Sequence, residues 1–344
     1  MTDTRPFAPK PFAVVTGGSS GIGLELARQF ADNGYDVLIT AEDAIKLQQA
    51  RAQLTGGGAT ITTHASDLAT EAGVDSLVGA IAERPVDAIA INAGVGLGGR
   101  FTETDLQREL RMIDLNVRGA VQLAKPVVKA MVARGQGRVL LTSSVAGSMP
   151  DPFEVVYGST KVFLRWFGQG LREELKDTGV TVTLLMPSIT ETNFFRRADM
   201  MDTRAGTTKK DDPAVVAKAG YDALMAGRDH VIPTTKNKVM GFIADNLPDP
   251  IAAKMHRGLS EPGSAEKGSA EKGGGAAPLA IGAAALGAGA ALFAYWRNGR
   301  GEEETHATPA RDAAQPMDAA VGAGPGTEGP GTDAPSAAEI RVGM

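Results

Sequence analysis

The sequence predicts an α/β protein, with one doubly wound parallel sheet held between two layers of helices. Three observations carry that reading. Short apolar runs alternate with stretches whose apolar residues recur at helical spacing, from Phe12 to about Leu259, and such alternation builds a parallel sheet with crossover helices. The first run passes through Thr16-Gly-Gly-Ser-Ser-Gly-Ile-Gly23 directly into a helical pattern. Gly17, Asp67 and Asn92 then fall at the exits of successive strands, where open α/β sheets hold ligands.

The first strand covers 12–16. The helix after it carries Ile22, Leu24, Leu26, Ala27 and Phe30 on one side, with Gly34 just past its end. Strand, glycine turn and helix in that order are the context of a dinucleotide-binding turn. Around Gly17, Ser19, Ser20, Gly21, Ile22 and Gly23 the backbone can approach a pyrophosphate, whose charge the helix N-terminus favours. The sheet is therefore of the Rossmann type. A second strand at 36–40 and a helix over 42–54 lead to Gly56-Gly-Gly58. A third strand at 59–65 precedes Ser66-Asp67-Leu68, a helix spans 71–83, and a fourth strand at 86–91 runs into Asn92-Ala-Gly94.

A glycine-rich loop (94–99) opens a long helix over about 105–133 that contains Asn116, and Pro126 should kink or break it. The fifth strand is 138–142, with Ser143-Ser-Val-Ala-Gly147 as its exit. The helix over 153–177 carries Val162, Phe163, Trp166, Phe167, Gly170 and Leu171, a stripe that serves either as core or in part as a subunit interface. A sixth strand (180–186) stops at Pro187. Residues 188–212 lack periodicity, as lids and binding loops do. A helix over 213–225, a short strand at 230–232 and two helical segments up to about Leu259 complete the fold.

The chain of 344 residues has no cysteine and a net charge of -5. Disulfides, zinc-thiolate sites and a cysteine nucleophile are excluded, and the mild mixed charge speaks against nucleic acid. His64, His230, His256 and His306 show no metal-ligand spacing and read as surface or satisfied core. Residues 1–10 lack the apolar run of a secretory signal, so a cytoplasmic location is expected for the folded part, residues 1–262. Composition shifts after Pro262. Residues 263–275 hold two copies of Gly-Ser-Ala-Glu-Lys-Gly and read as a flexible linker, and 297–344 read as a disordered tail. Between them, 276–296 is uncharged and about as long as a membrane span, with Tyr295, Trp296 and Arg297 as an interfacial anchor. Its few strongly apolar residues supply roughly -2 kcal/mol for insertion, which its glycines and Pro278 oppose. A membrane tether and an Ala/Gly linker both remain open.

Tyr157 and Lys161 stand four apart on one helix face. An ammonium near a phenol lowers the phenol's pKa from about 10, toward proton exchange with a substrate oxygen near neutral pH. The pair alone most often marks an amphipathic surface. Combined with Thr16, Gly17, Gly21 and Gly23, with Asn92-Ala93-Gly94, with Asn116 and with Ser144 thirteen residues before Tyr157, it makes the chain resemble the short-chain dehydrogenase/reductase family over about 12–262.

The resemblance implies hydride transfer between a nicotinamide and a carbonyl or carbinol carbon. Tyr157 would be the acid or base, Ser144 would hold the substrate oxygen, and Lys161 would lower the Tyr157 pKa and bind the ribose. Asn116 would anchor a proton-relaying water. Asp67 and Leu68 would contact adenine. Asn92, Ala93 and Gly94 would line the adenine ribose. Pro187, Thr190 and Thr192 would flank the nicotinamide, with Ser188 replacing the usual glycine. Ala41-Glu42-Asp43 and Ser20 offer no cation for a 2'-phosphate, so NAD is favoured over NADP, with Glu42 on the cofactor side. A segment at 191–208, with Val145, Ala146, Met149 and Phe153, would shape a pocket for a hydrophobic ketone, 3-oxoacyl or steroid-like substrate. A homodimer or homotetramer is implied. The alternatives are a cofactor-binding scaffold or redox sensor acting through its tail, and a relative that dehydrates or epimerises.

Overall fold

The computed structural model describes residues 10–54, 58–234 and 247–266. They belong to one compact unit, Met1–Gly289; a second unit, Ala290–Met344, lies outside the described residues, as do 276–296 and His306. The strands are β1 (Phe12–Thr16), β2 (Asp36–Ala41), β3 (Ile61–Ala65), β4 (Ala88–Ile91), β5 (Gly137–Thr142), β6 (Val180–Leu185) and β7 (His230–Val231). They form one parallel sheet in the order β3-β2-β1-β4-β5-β6-β7. The order reverses between β1 and β4, where Val14 stands beside Ile89, and a crevice opens at the carboxyl ends of that pair.

Strict alternation along the strands feeds two cores. Val14, Ile89, Val139, Leu141 and Leu184 point to one face. There they meet α3 (Glu71–Ile81), α5 (Ala120–Arg134) and α6 (Val155–Glu174) through Leu77, Leu123, Met131 and Leu164. Val15, Val37, Ile39, Leu140 and Leu185 point to the other. There α1 (Gly21–Asp32), α2 (Ala44–Leu54) and α9 (Pro213–Met225) cover them with Leu26, Phe30, Leu47, Val216 and Leu224. Each such buried Leu or Phe contributes about 1.5–3 kcal/mol.

The helix expected over 105–133 is two α-helices joined by a π-helical turn. α4 (Leu106–Ile113) passes into the turn Asp114–Gly119 and then into α5. The chain does not break at Pro126, which lies inside α5. The buried row Leu123, Ala124, Val127, Val128 and Met131 holds the helix together across the missing hydrogen bond. The irregularity comes earlier, where Gly119 presses against the loop after β3: a Cβ there would lie 2.1 Å from the Leu68 carbonyl oxygen.

The aperiodic 188–212 stretch is ordered around its own small core. Two short helices, α7 (Phe194–Arg197) and α8 (Arg204–Thr207), bury Phe195, Ala198, Met200 and Ala205. A bridge between Thr190 and Asp211 ties its two ends together. It packs on the glycine loop 94–99, where side chains at Gly96 or Gly98 would strike Phe194 or Met200. Of the two segments expected before Leu259, α10 (Asp249–Ser260) is described and 235–246 lies outside the described residues. Gly263 and Ala265, read as linker from composition, still hydrogen-bond to Asp202, and Ser264 accepts from the Arg204 N–H. Among the described residues no helix is long and apolar enough to cross a membrane.

Candidate active site

The crevice at the β1/β4 switch opens into a cleft of about 530 Å³. Its inner end is the glycine turn. Gly17 and Gly21 adopt φ of +67° and +57°, which side-chain-bearing residues rarely adopt. Gly23 is needed for close packing, since a Cβ there would lie 2.2 Å from the Gly17 carbonyl oxygen. Thr16 Oγ1 accepts from the Asn92 and Ala93 N–H groups at 2.9 Å, and the Asn92 amide donates to the Thr16 carbonyl oxygen. The Asn92 side chain thus braces the turn. Ser20 makes no side-chain cap to α1, and the first turn of α1 carries no acidic residue. An uncapped helix N-terminus facing a glycine cradle fits the pyrophosphate of a dinucleotide.

Ser19, Ser20, Gly21, Ile22, Glu42, Asp67, Leu68, Ala93, Gly94, Pro187, Thr190 and Thr192 line the same cleft together with Gly17 and Asn92. Gly23 does not line it and acts through packing. At the adenine end the sequence reading missed Arg111 of α4. Its guanidinium donates to Asp67 Oδ2 at 3.0 Å and to Glu42 Oε2 at 3.2 Å, bridging the two carboxylates read as facing the cofactor ribose and adenine. Nothing in the local pattern of α4 marks Arg111. Only the sheet topology brings it across.

At the other end Ser144, Tyr157 and Lys161 converge. Ser144 caps the 3₁₀ turn Val145–Ser148, accepting from the Ala146 N–H at 3.0 Å and donating to the Pro187 carbonyl oxygen at 3.4 Å. Lys161 Nζ lies 5.6 Å from the Tyr157 ring centroid and donates to the Thr142 carbonyl oxygen at 3.1 Å. Ser143 Oγ donates to the Lys161 carbonyl oxygen at 2.8 Å.

The expected lowering of the Tyr157 pKa by Lys161 is not what the geometry gives. Burial pushes the phenol up, the Glu154 carboxylate adds to the rise, and the Ser144 hydroxyl opposes it. Burial likewise brings Lys161 down to about 8. Asn116, in the π-helical turn, is buried and does not line the cleft. Its Oδ1 accepts from the Val95 N–H at 3.0 Å, and its Nδ2 donates to the Val95 carbonyl oxygen at 2.9 Å and to Thr160 Oγ1 at 3.0 Å. Its side chain therefore clamps the 94–95 loop. Gly94 fits between, since a Cβ there would lie 3.2 Å from Asn116 Oδ1 and 3.3 Å from Lys161 Nζ.

Val145, Ala146, Met149, Phe194 and Phe195 line the substrate end; Phe153, expected there, does not. Phe153 takes a left-handed φ of +66° and turns its ring out between the guanidinium groups of Arg100 and Arg257. The same twist carries Asp151 and Glu154 inward, to 7% exposure each. Glu154 lines the cleft, as do His256 and Ser260 of α10. Ser260 Oγ donates to Glu154 Oε2 at 2.9 Å, and His256 Nδ1 lies 2.6 Å from Asp151 Oδ1. Burial and the nearby Asp151 push Glu154 up to about 8. Burial alone would lower His256, but Asp151 and Glu154 together raise the imidazole. His256, read from the sequence as surface or satisfied core, belongs to the wall of the cleft.

Comparison with known proteins agrees with this geometry. The family model described as short chain dehydrogenase matches residues 11–202. An uncharacterized oxidoreductase of Staphylococcus saprophyticus is 31% identical over 215 residues, which span 62% of this chain and 90% of that protein. The 3-dehydrosphinganine reductase of Arabidopsis thaliana is 31% identical over 224 residues, 62% of this chain and 67% of its own length. A short-chain dehydrogenase from Sphingobium yanoikuyae, solved in complex with NADPH, superposes with a TM-score of 0.62 at 26% identity, over 68% of this chain and 92% of that one. With its doubly wound sheet and the cleft at its switch point, the chain belongs to the short-chain dehydrogenase family of NAD(P)-dependent oxidoreductases, which act on alcohol and carbonyl groups.

Proposed function

We propose that this enzyme interconverts a ketone and a secondary alcohol on a substrate with a hydrophobic body, with Ser144, Tyr157 and Lys161 as the catalytic residues. The observation that carries the reading is the convergence of Ser144, Tyr157 and Lys161, with the Lys161 ammonium behind the Tyr157 ring, in one cleft with the uncapped N-terminus of α1. Gly17–Gly23, Asp67, Asn92–Gly94 and Thr190–Thr192 would hold a nicotinamide dinucleotide, which would supply or accept the hydride.

The protein's own part is proton transfer and charge stabilisation. Tyr157 would give its Oη proton to the substrate oxygen in reduction and take it back in oxidation. Ser144 would donate to that oxygen, and Lys161, its Nζ 5.6 Å from the Tyr157 ring centroid, would stabilise negative charge on the phenol. Asn116 acts as a positioning residue through Val95. Phe194, its ring 5.1 Å from the Tyr157 ring, and Phe195 support an apolar substrate. NAD is the preferred cofactor on the strength of Glu42 and Ser20, with Arg111 softening the preference.

The exposed apolar residues Leu110 and Ile113 of α4 and Phe163 and Trp166 of α6 support a homo-oligomer. The uncharged run 276–296 supports contact with a membrane. The test follows NADH and NADPH oxidation against aliphatic, steroidal and acyl-thioester ketones. Tyr157→Phe is expected to lower kcat by roughly 10²–10⁴-fold with cofactor affinity retained. Turnover that survives Tyr157→Phe would overturn the assignment.

A further inference from the structure

We infer that Glu154, with the Asp151–His256 pair behind it, selects the substrate by taking a protonated amine carried beside the reacting carbon of an otherwise apolar ketone or alcohol. The inference rests on the reading of this cleft as the carbonyl-reducing site. Glu154 immediately precedes α6, one turn before Tyr157, and it lines the cleft although only 7% exposed. Ser260 reaches its Oε2 at 2.9 Å, and no other side-chain hydrogen bond is made to it among the described residues. Phe194 and Phe195 stand on the same cleft, so an acidic wall and an apolar wall meet at Tyr157.

The charge balance of the wall points to a cation. Two carboxyls share one imidazole, which lies 2.6 Å from Asp151, so an ionised Glu154 has no cation hydrogen-bonded to it among the described residues. A buried carboxyl without a cation keeps its proton, and an ammonium arriving with the substrate lets it ionise and completes the pair. Phe153, which lies between Asp151 and Glu154 in the chain, adopts a left-handed φ of +66° beside the two buried carboxyls. The other charged or titratable groups on the cleft near this wall are Tyr157 and Lys161 from α6 and Arg197, Lys209 and Asp211 from the 188–212 segment. Lys161 is turned to the Thr142 carbonyl, and Arg197 and Lys209 are exposed.

The experiment compares the oxidation of 1-amino-2-octanol and 2-octanol by the full chain, with NAD and with NADP. The expected wild-type kcat/KM is at least about tenfold higher for the amino alcohol, and in Glu154→Gln the ratio falls to within about twofold. A second readout does not depend on the variant folding. Octylamine should inhibit wild-type 2-octanol oxidation at least about tenfold more tightly than neutral octanamide. Equal turnover of the two alcohols, equal inhibition by the two ligands, or a preference that survives in Glu154→Gln overturns the inference while the carbonyl-reducing site stands. Absence of turnover of both alcohols with cofactor bound overturns the site and the inference together.

Discussion

Glu154 holds its proton in the folded chain up to about pH 8, whereas an unfolded chain loses it near the ordinary 4.5. Between those values the native state binds the extra proton, so its stability is full below 4.5 and falls as pH rises through 8. The expected consequence is a wild-type Tm that declines from pH 5 to 8 and a flatter profile for Glu154→Gln, a difference on the order of a few kcal/mol at pH 8. Parallel profiles would argue against a protonated Glu154. Arg111 gives a second prediction at this scale. Its exposed bridge to Glu42 and Asp67 is worth at most about 1 kcal/mol. Arg111→Ala should therefore raise the NAD-over-NADP ratio of kcat/KM by up to about fivefold, because two carboxylates are left facing the 2'-phosphate. Tyr157, Lys161 and Ser144 were legible because spacing along one helix and one strand exit places them. Glu154, His256 and Arg111 were not, because a left-handed Phe153 and contacts between distant elements decide where they point.

At the scale of elements, the π-helical turn joins the loop after β3 to the Val95 clamp. Gly119 lies against the Leu68 carbonyl, and Asn116 in the same turn holds both backbone groups of Val95. Gly119→Ala cannot be accommodated without moving one of these pieces. It should lower stability by about 1–3 kcal/mol and kcat along with it, as read by thermal melts and steady-state kinetics. Unchanged kcat would separate the turn from catalysis. The helix over 105–133 was legible from its periodicity, but the turn inside it was not, because it is set by a close approach to Leu68 from another part of the chain. The 188–212 segment escaped for a related reason: its helices are four residues long and are stabilised by Met200 and Phe195 packing on glycines of the 94–99 loop.

For the whole molecule, the strand runs and their alternation were enough to read the sheet, because a parallel sheet buried on both faces leaves strong apolar runs. The stripe on α6 divided in a way the sequence left open. Phe167 and Leu171 pack against the core, while Phe163 and Trp166 are 39% and 66% exposed. If that face joins copies of the chain, Trp166→Glu should reduce the mass measured by light scattering to that of one chain. An unchanged mass would remove α6 from the interface.

The position of α10 in the chain has a consequence for biosynthesis. The glycine turn and its braces at Asn92 and Ala93 are made early, whereas Ser260 and His256 are among the last of the described residues to be made. A nascent chain thus carries the glycine turn first, the Thr190–Thr192 side of the cleft later, and the wall that would tell one alcohol from another last of these.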